Sequence, residues 1–190
     1  MEHEWYAAGL ARQAQLDGSR GVVTKSATEI NHALGGIVDL TGFLVRADQT
    51  LGKRLSAFAA ADLADILPPD AQADIVDSIG RVADYRNRIE HDQWTTLQPP
   101  RDEPNSELVR GLGEISYIDT TLPAIELLAE VFATVSDIAE RLYSDLVAQH
   151  MFERAGYEAG RQATREIGRA VSRITSRPDP RWRWIDHGRP

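Results

Sequence analysis

The chain has 190 residues, of which 42% are hydrophobic and 26% charged, the make-up of one folded domain large enough to bury a core. It contains no cysteine, which excludes disulfides, thiol catalysis and cysteine-ligated zinc and fits a reducing cytoplasm. Its net charge of −8 speaks against a protein that coats nucleic acid indiscriminately.

The opening residues, Met1 to Trp5, have neither a basic nor an apolar region of the signal-peptide kind. No apolar run approaches the ~20 residues that span a bilayer, so a cytoplasmic protein without membrane contact is expected. Charge divides the chain. Residues 151–190 hold nine Arg and five acids, whereas the first 150 residues hold 12 basic and 24 acidic side chains. This asymmetry suggests two working surfaces, a helical bundle over 1–150 and an Arg-rich helix and tail over 151–190.

Apolar residues recur at helical spacing along nearly every long segment, and no alternating strand stands out. A short helix is predicted over Glu4 to Asp17, ended by Gly18-Ser19-Arg20-Gly21. From about Lys25, the positions Ile30, Leu34, Ile37, Leu44, Leu51, Leu55 and Phe58 keep one stripe facing a core. Gly35, Gly36 and Gly42 lie inside it, each costing about 1 kcal/mol relative to Ala. Close approach of a neighbouring helix, or a kink, accounts for them.

Pro68-Pro69-Asp70 starts a further helix that runs to about Trp94. Thr95 to Ser106 reads as a loop, followed by a short helix over Ser106 to Leu112. Thr121-Leu122-Pro123 then launches the longest regular stretch, with Ile125, Leu128, Phe132, Val135, Ala139, Leu142 and Leu146 on one stripe. A last helix is predicted to reach Ser176, before Pro178 and Pro180. The expected fold is all-α, a bundle of four main helices with additional terminal helices.

The helix from Asp70 to Trp94 carries an anomaly. Its core stripe runs Ile75, Ile79, Val82, Arg86, Ile89, so an arginine stands where the pattern calls for a hydrophobe. A buried guanidinium is costly unless paired, and Glu90, one turn on, can supply the pair. Asp84, Asn87 and His91 stand within about 60° of one another, flanked by Arg81 and Arg88. Imidazole, amide, carboxylate and guanidinium together are groups that move protons and hold a phosphate without a metal. Alternatively, Arg and His complement the dipole at a helix C-terminus.

Tyr85-Arg86-Asn87-Arg88-Ile89-Glu90-His91 resembles the signature of the HEPN superfamily, an Arg followed by a polar residue, often Asn, with His closing the motif four to six residues after the Arg. Here four residues intervene. The resemblance implies a metal-independent endoribonuclease, leaving 2′,3′-cyclic phosphate ends, of the kind found as toxins or phage-defence effectors. It implies no cofactor. Its implied partners are RNA, a second copy of the chain, and an antitoxin or defence-system protein. In that reading His91 serves as general acid or base, Arg86 steadies the phosphate and Asn87 orients it. Arg81, Asp84 and Arg88 line the cleft, and a dimer supplies a second His91. Gln93 stands where HEPN toxins paired with a nucleotidyltransferase antitoxin often carry Tyr, so adenylylation there is not expected.

Arg161, Arg165, Arg169, Arg173 and Arg177 are spaced four apart. They form a basic stripe suited to phosphates or to an acidic protein surface, this protein's own body included. Glu158 and Glu166 equally allow a solvated face. Arg181-Trp182-Arg183-Trp184 either stacks on single-stranded bases or docks on the domain or on a subunit neighbour. The competing function is therefore a non-catalytic helical module that binds a protein or nucleic acid through this C-terminal helix.

Overall fold

Long amphipathic stripes and one abrupt loss of helical periodicity after His91 determine the architecture. The structure, a computed structural model, describes residues 2–42, 50–97, 107–113, 117–151, 157–175 and 184–185. In chain order the elements are α1 (Glu2–Asp39), α2 (Leu51–Ala60), α3 (Pro69–His91), β1 (Gln93–Thr96), β2 (Leu108–Leu112), β3 (Tyr117–Thr121), α4 (Leu122–Met151), α5 (Tyr157–Thr175) and β4 (Trp184–Ile185).

The fold is predominantly helical but not all-α. The strands pair antiparallel in the order β1-β2-β3-β4. The segment predicted as a short helix over Ser106 to Leu112 is largely strand β2, and the start of the predicted loop, Thr95 and Thr96, belongs to β1. Two local features explain the sheet. Trp94 lies opposite Gly111 in the β1–β2 register, and its ring covers the glycine so closely that a Cβ there would stand 2.6 Å from Cζ2. On the outer edge of β1, the Thr96 amide donates to Oε1 of Gln13 on α1 at 3.2 Å, which closes an edge that would otherwise recruit another strand.

α1 is one helix of 38 residues, and Gly18-Ser19-Arg20-Gly21 does not break it. Its buried stripe passes straight through that segment, with Leu16 and Val23 on either side and Ala27, Ile30, Leu34 and Ile37 beyond. Gly18 and Gly21 sit on the open face with no neighbour close by. Tertiary burial at each end outweighs a helix-propensity penalty of about 1 kcal/mol per glycine. The stripe meets Ile125, Leu128, Phe132, Val135, Ala139, Leu142 and Leu146 of α4, all buried.

α1, α4, α5 and α3 each pack on the next, and α2 bridges α1 and α3. The α2 C-terminus is tied to α3 by the Gln72 amide, which donates to the carbonyls of Phe58 (2.6 Å) and Ala61 (2.9 Å). Gly42 has φ 78°, a left-handed conformation just beyond the end of α1 that glycine adopts without strain. Among the described residues no helix is long and apolar enough to cross a membrane.

Candidate functional site

The end of α3 gathers three of the sequence-predicted residues, Arg86, Asn87 and His91, around Glu90. Arg86 is 13% exposed, and its Nη1 lies 2.5 Å from Glu90 Oε2, the i,i+4 pairing that its place on the core stripe calls for. The same nitrogen donates to Asn87 Oδ1 at 3.2 Å. His91 stands outside, 72% exposed, with Nε2 3.6 Å from Glu90 Oε2. Asp84 and Asn87 are exposed, and Arg81 pairs with Asp77 on its own helix. Arg86 and Asn87 thus bind neighbours on their own helix, and His91 faces solvent.

Behind them lies a polar joint between α1, α3 and β1. Arg88 Nε lies 3.0 Å from Asp92 Oδ2, and the Asp92 side chain is 6% exposed. Burial raises the Asp92 carboxyl above its usual value, against the opposing pull of Arg88 and His91. Arg20 of α1 donates to the Ile89 carbonyl at 3.2 Å and to the Asp92 carbonyl at 3.5 Å, which occupies carbonyls at the helix end. The Arg88–Asp92 pair was legible as an i,i+4 charge spacing. Arg20 carries no local signal, since its acceptors lie some seventy residues away. A cleft of about 600 Å³ opens beside this joint, lined by His91, Asp92, Gln93, Leu112 and Gly113.

The sheet overturns the HEPN expectation. That fold is purely helical, whereas here the motif helix runs directly into β1 of an antiparallel sheet. The endoribonuclease function, the toxin or phage-defence role and the enzyme assignment fall with it. The local geometry offers the other account given above for these residues, an ion-paired helix terminus with basic groups complementing the dipole.

α5 presents the second cluster. Gly160, Ala163, Ile167, Ala170, Val171 and Ile174 are buried, while Arg161, Arg165, Arg169 and Arg173 are all exposed. At ~100° per residue the arginines occupy the side of the helix opposite the buried face. Arg173 reaches Glu130 of α4 at 2.6 Å, and Arg165 lies 3.4 Å from Glu158. Among the described residues no ion pair engages Arg161 or Arg169. Arg177 and Arg181 to Arg183 lie outside the described residues, and the backbone of Trp184 pairs with β3 opposite Ile118.

Charged groups also cross the α4–α5 seam. Arg141 Nη2 lies 2.5 Å from Glu166 Oε2, and Gln162 donates to the other oxygen at 2.8 Å. A groove of about 530 Å³ follows the seam, lined by Asp137, Arg141, Glu166, Arg169 and Arg173 among others. The Gln162 hydrogen bond, helped by Arg141 and Arg169, holds the Glu166 carboxyl below its ordinary 4.5. Stabilisation from Glu166 is complete above about pH 4.5 and is lost as pH falls through its lower folded value. Urea midpoints at pH 6 and pH 3 should therefore fall less in Glu166→Gln than in the parent chain. Equal falls would show that the seam does not sense this carboxylate.

Among family models, curated proteins and solved structures, nothing matches this chain.

Proposed function

We propose that the protein is a non-catalytic interaction module that docks an acidic protein surface on the arginine face of α5. The observation that carries this reading is the placement of Arg161, Arg165, Arg169 and Arg173, all exposed and turned away from the buried side of their helix. Burial needs none of them, and solubility is already served by a net charge of −8.

Their rise of about 6 Å per step equals one helical turn plus a small drift. A partner helix with a carboxylate at every fourth position therefore meets them in register. An acidic helix suits the site better than RNA, because its carboxylates can be confined to the face that meets the arginines, whereas a phosphate chain carries unbroken charge past Glu158, Glu166 and the acidic body.

The test is fluorescence anisotropy with two labelled probes, a helical peptide bearing Glu at every fourth position and a single-stranded RNA oligonucleotide. The peptide is expected to bind at low salt, and Arg161→Glu/Arg169→Glu is expected to weaken it about tenfold or more. Tighter capture of RNA than of peptide, or undiminished peptide binding by the variant, would overturn the reading.

A further inference from the structure

α3 carries a charge stripe that answers the one on α5. Asp70, Asp74 and Asp77 are exposed and fall within about 60° of one another around the helix. Asp77 pairs with Arg81, and among the described residues no ion pair engages Asp70 or Asp74.

The register of α5 against α3 and the segment leading into it follows a repeated offset. The Tyr157 hydroxyl donates to the Ala64 carbonyl at 2.7 Å, and the Thr164 hydroxyl donates to the Ala71 carbonyl at 3.3 Å, each pair 93 residues apart. Gly160 sits against Leu67 at the same offset, so close that a Cβ there would collide with Leu67 Cδ1. α3 and α5 therefore run parallel, side by side. Continued along the two helices, this offset sets Asp70 and Asp74 alongside the Arg161–Arg169 stretch of α5. Among the described residues, however, no ion pair crosses from α3 to α5 within the chain. Within the chain Arg165 pairs with Glu158 and Arg173 with Glu130.

We infer that the acidic surface docked by α5 is α3 of a second copy of this chain. A two-fold axis parallel to the two helices lays α3 of each copy over α5 of the other at unchanged height. Asp70 and Asp74 of each copy then meet the arginine stripe of the other. Such an interface is self-complementary and closed. It explains why the acidic and basic stripes share one register although they do not pair within one chain. Charge complementarity sets the geometry of such an assembly and makes it sensitive to salt. It differs from the dimer implied by the HEPN resemblance, which would pair the Arg86–His91 segments. This inference rests on the reading of α5 as a docking face.

The test uses the full chain and a pair of charge reversals, Asp70→Lys/Asp74→Lys and Arg165→Glu/Arg169→Glu, followed by analytical ultracentrifugation at low salt. The parent chain is expected to be a dimer. Each variant alone is expected to dimerise at least about tenfold more weakly, because like charges then face each other at both contacts. An equimolar mixture is expected to recover a heterodimer, since Lys then meets Glu at one contact and Asp meets Arg at the other. Circular dichroism of each variant shows whether it is folded, and recovery on mixing cannot come from an unfolded chain. A parent chain that stays monomeric at high micromolar concentration, or variants that do not complement each other, would overturn the second-copy inference. A monomer that still captures the acidic peptide would sink only this inference, whereas a monomer that captures none would sink the docking reading as well.

Discussion

Trp94→Ala is expected to destabilise the protein by about 3–5 kcal/mol, the range for truncating a buried aromatic. Trp94 is 7% exposed and joins three parts of the structure. Its ring lies over Gly111 on the neighbouring strand, where the missing side chain makes room for an indole. Its Nε1 donates to the Arg88 carbonyl at 3.1 Å, in the last turn of α3. Its backbone belongs to β1, whose outer edge is held by Gln13 of α1.

Truncation leaves a cavity between sheet and helix and frees the point at which the chain turns from α3 into the sheet. Two companion substitutions separate the terms. Trp94→Phe keeps most of the apolar area and loses the indole N–H, so it should cost about 1 kcal/mol beyond the lost area. Gly111→Val places a branched side chain where the ring lies and should cost about 1–3 kcal/mol. Urea denaturation with near-ultraviolet circular dichroism is the measurement. A loss under 1 kcal/mol for Trp94→Ala would mean that the indole does not anchor the sheet.

The same corner shows what the sequence could and could not reveal. The stripe from Ile125 to Leu146 and the stripe Ile75, Ile79, Val82, Ile89 were readable, because burial along a long helix imposes a period that many residues repeat. The short strands were not. β1 has four residues and β2 has five, with an arginine and a glycine inside it, too few for alternation to emerge from chance. Their stability comes from pairing with distant residues, and Gly111 reads as a turn former until Trp94 is placed on it. Arg20 shows the same limit, because a Gly-Ser-Arg-Gly segment reads as a break until the buried Leu16 and Val23 and the Arg20 bonds to Ile89 and Asp92 are known.

At the candidate site the residue spacing disclosed one contact, and the family resemblance misled about the fold. The spacing of Arg86 and Glu90 called for a pair, and the pair is formed. Asn87 and His91 suggested phosphoryl chemistry by residue type, and the weight of that suggestion came from a family whose helical fold this chain does not share. The α5 stripe was visible from its four-residue spacing. Its counterpart on α3 was present in the spacing of Asp70, Asp74 and Asp77, but its meaning depends on the α3–α5 register, which local sequence does not encode.

Arg54→Ala is expected to cost about 2–5 kcal/mol and, in addition, to change the sign of a second substitution. Arg54 of α2 is 3% exposed. Its Nε donates to Asn31 Oδ1 at 3.1 Å, and its guanidinium lies against Gly35 on α1, where a Cβ would stand 2.6 Å from Nη1 and 2.9 Å from Cζ. Gly35 costs α1 about 1 kcal/mol of helix propensity relative to Ala, and close packing of a buried guanidinium is the physical reason for keeping it. In the parent chain Gly35→Ala therefore displaces Arg54 and should destabilise by about 1–3 kcal/mol, in spite of the better propensity. Once Arg54 is Ala, the methyl group enters vacated space, and Gly35→Ala should stabilise by about 1 kcal/mol. The double-mutant cycle should then return a coupling of about 2–4 kcal/mol between two residues on different helices. Urea denaturation of the four proteins measures it, and additive effects would mean that Arg54 does not dictate the glycine.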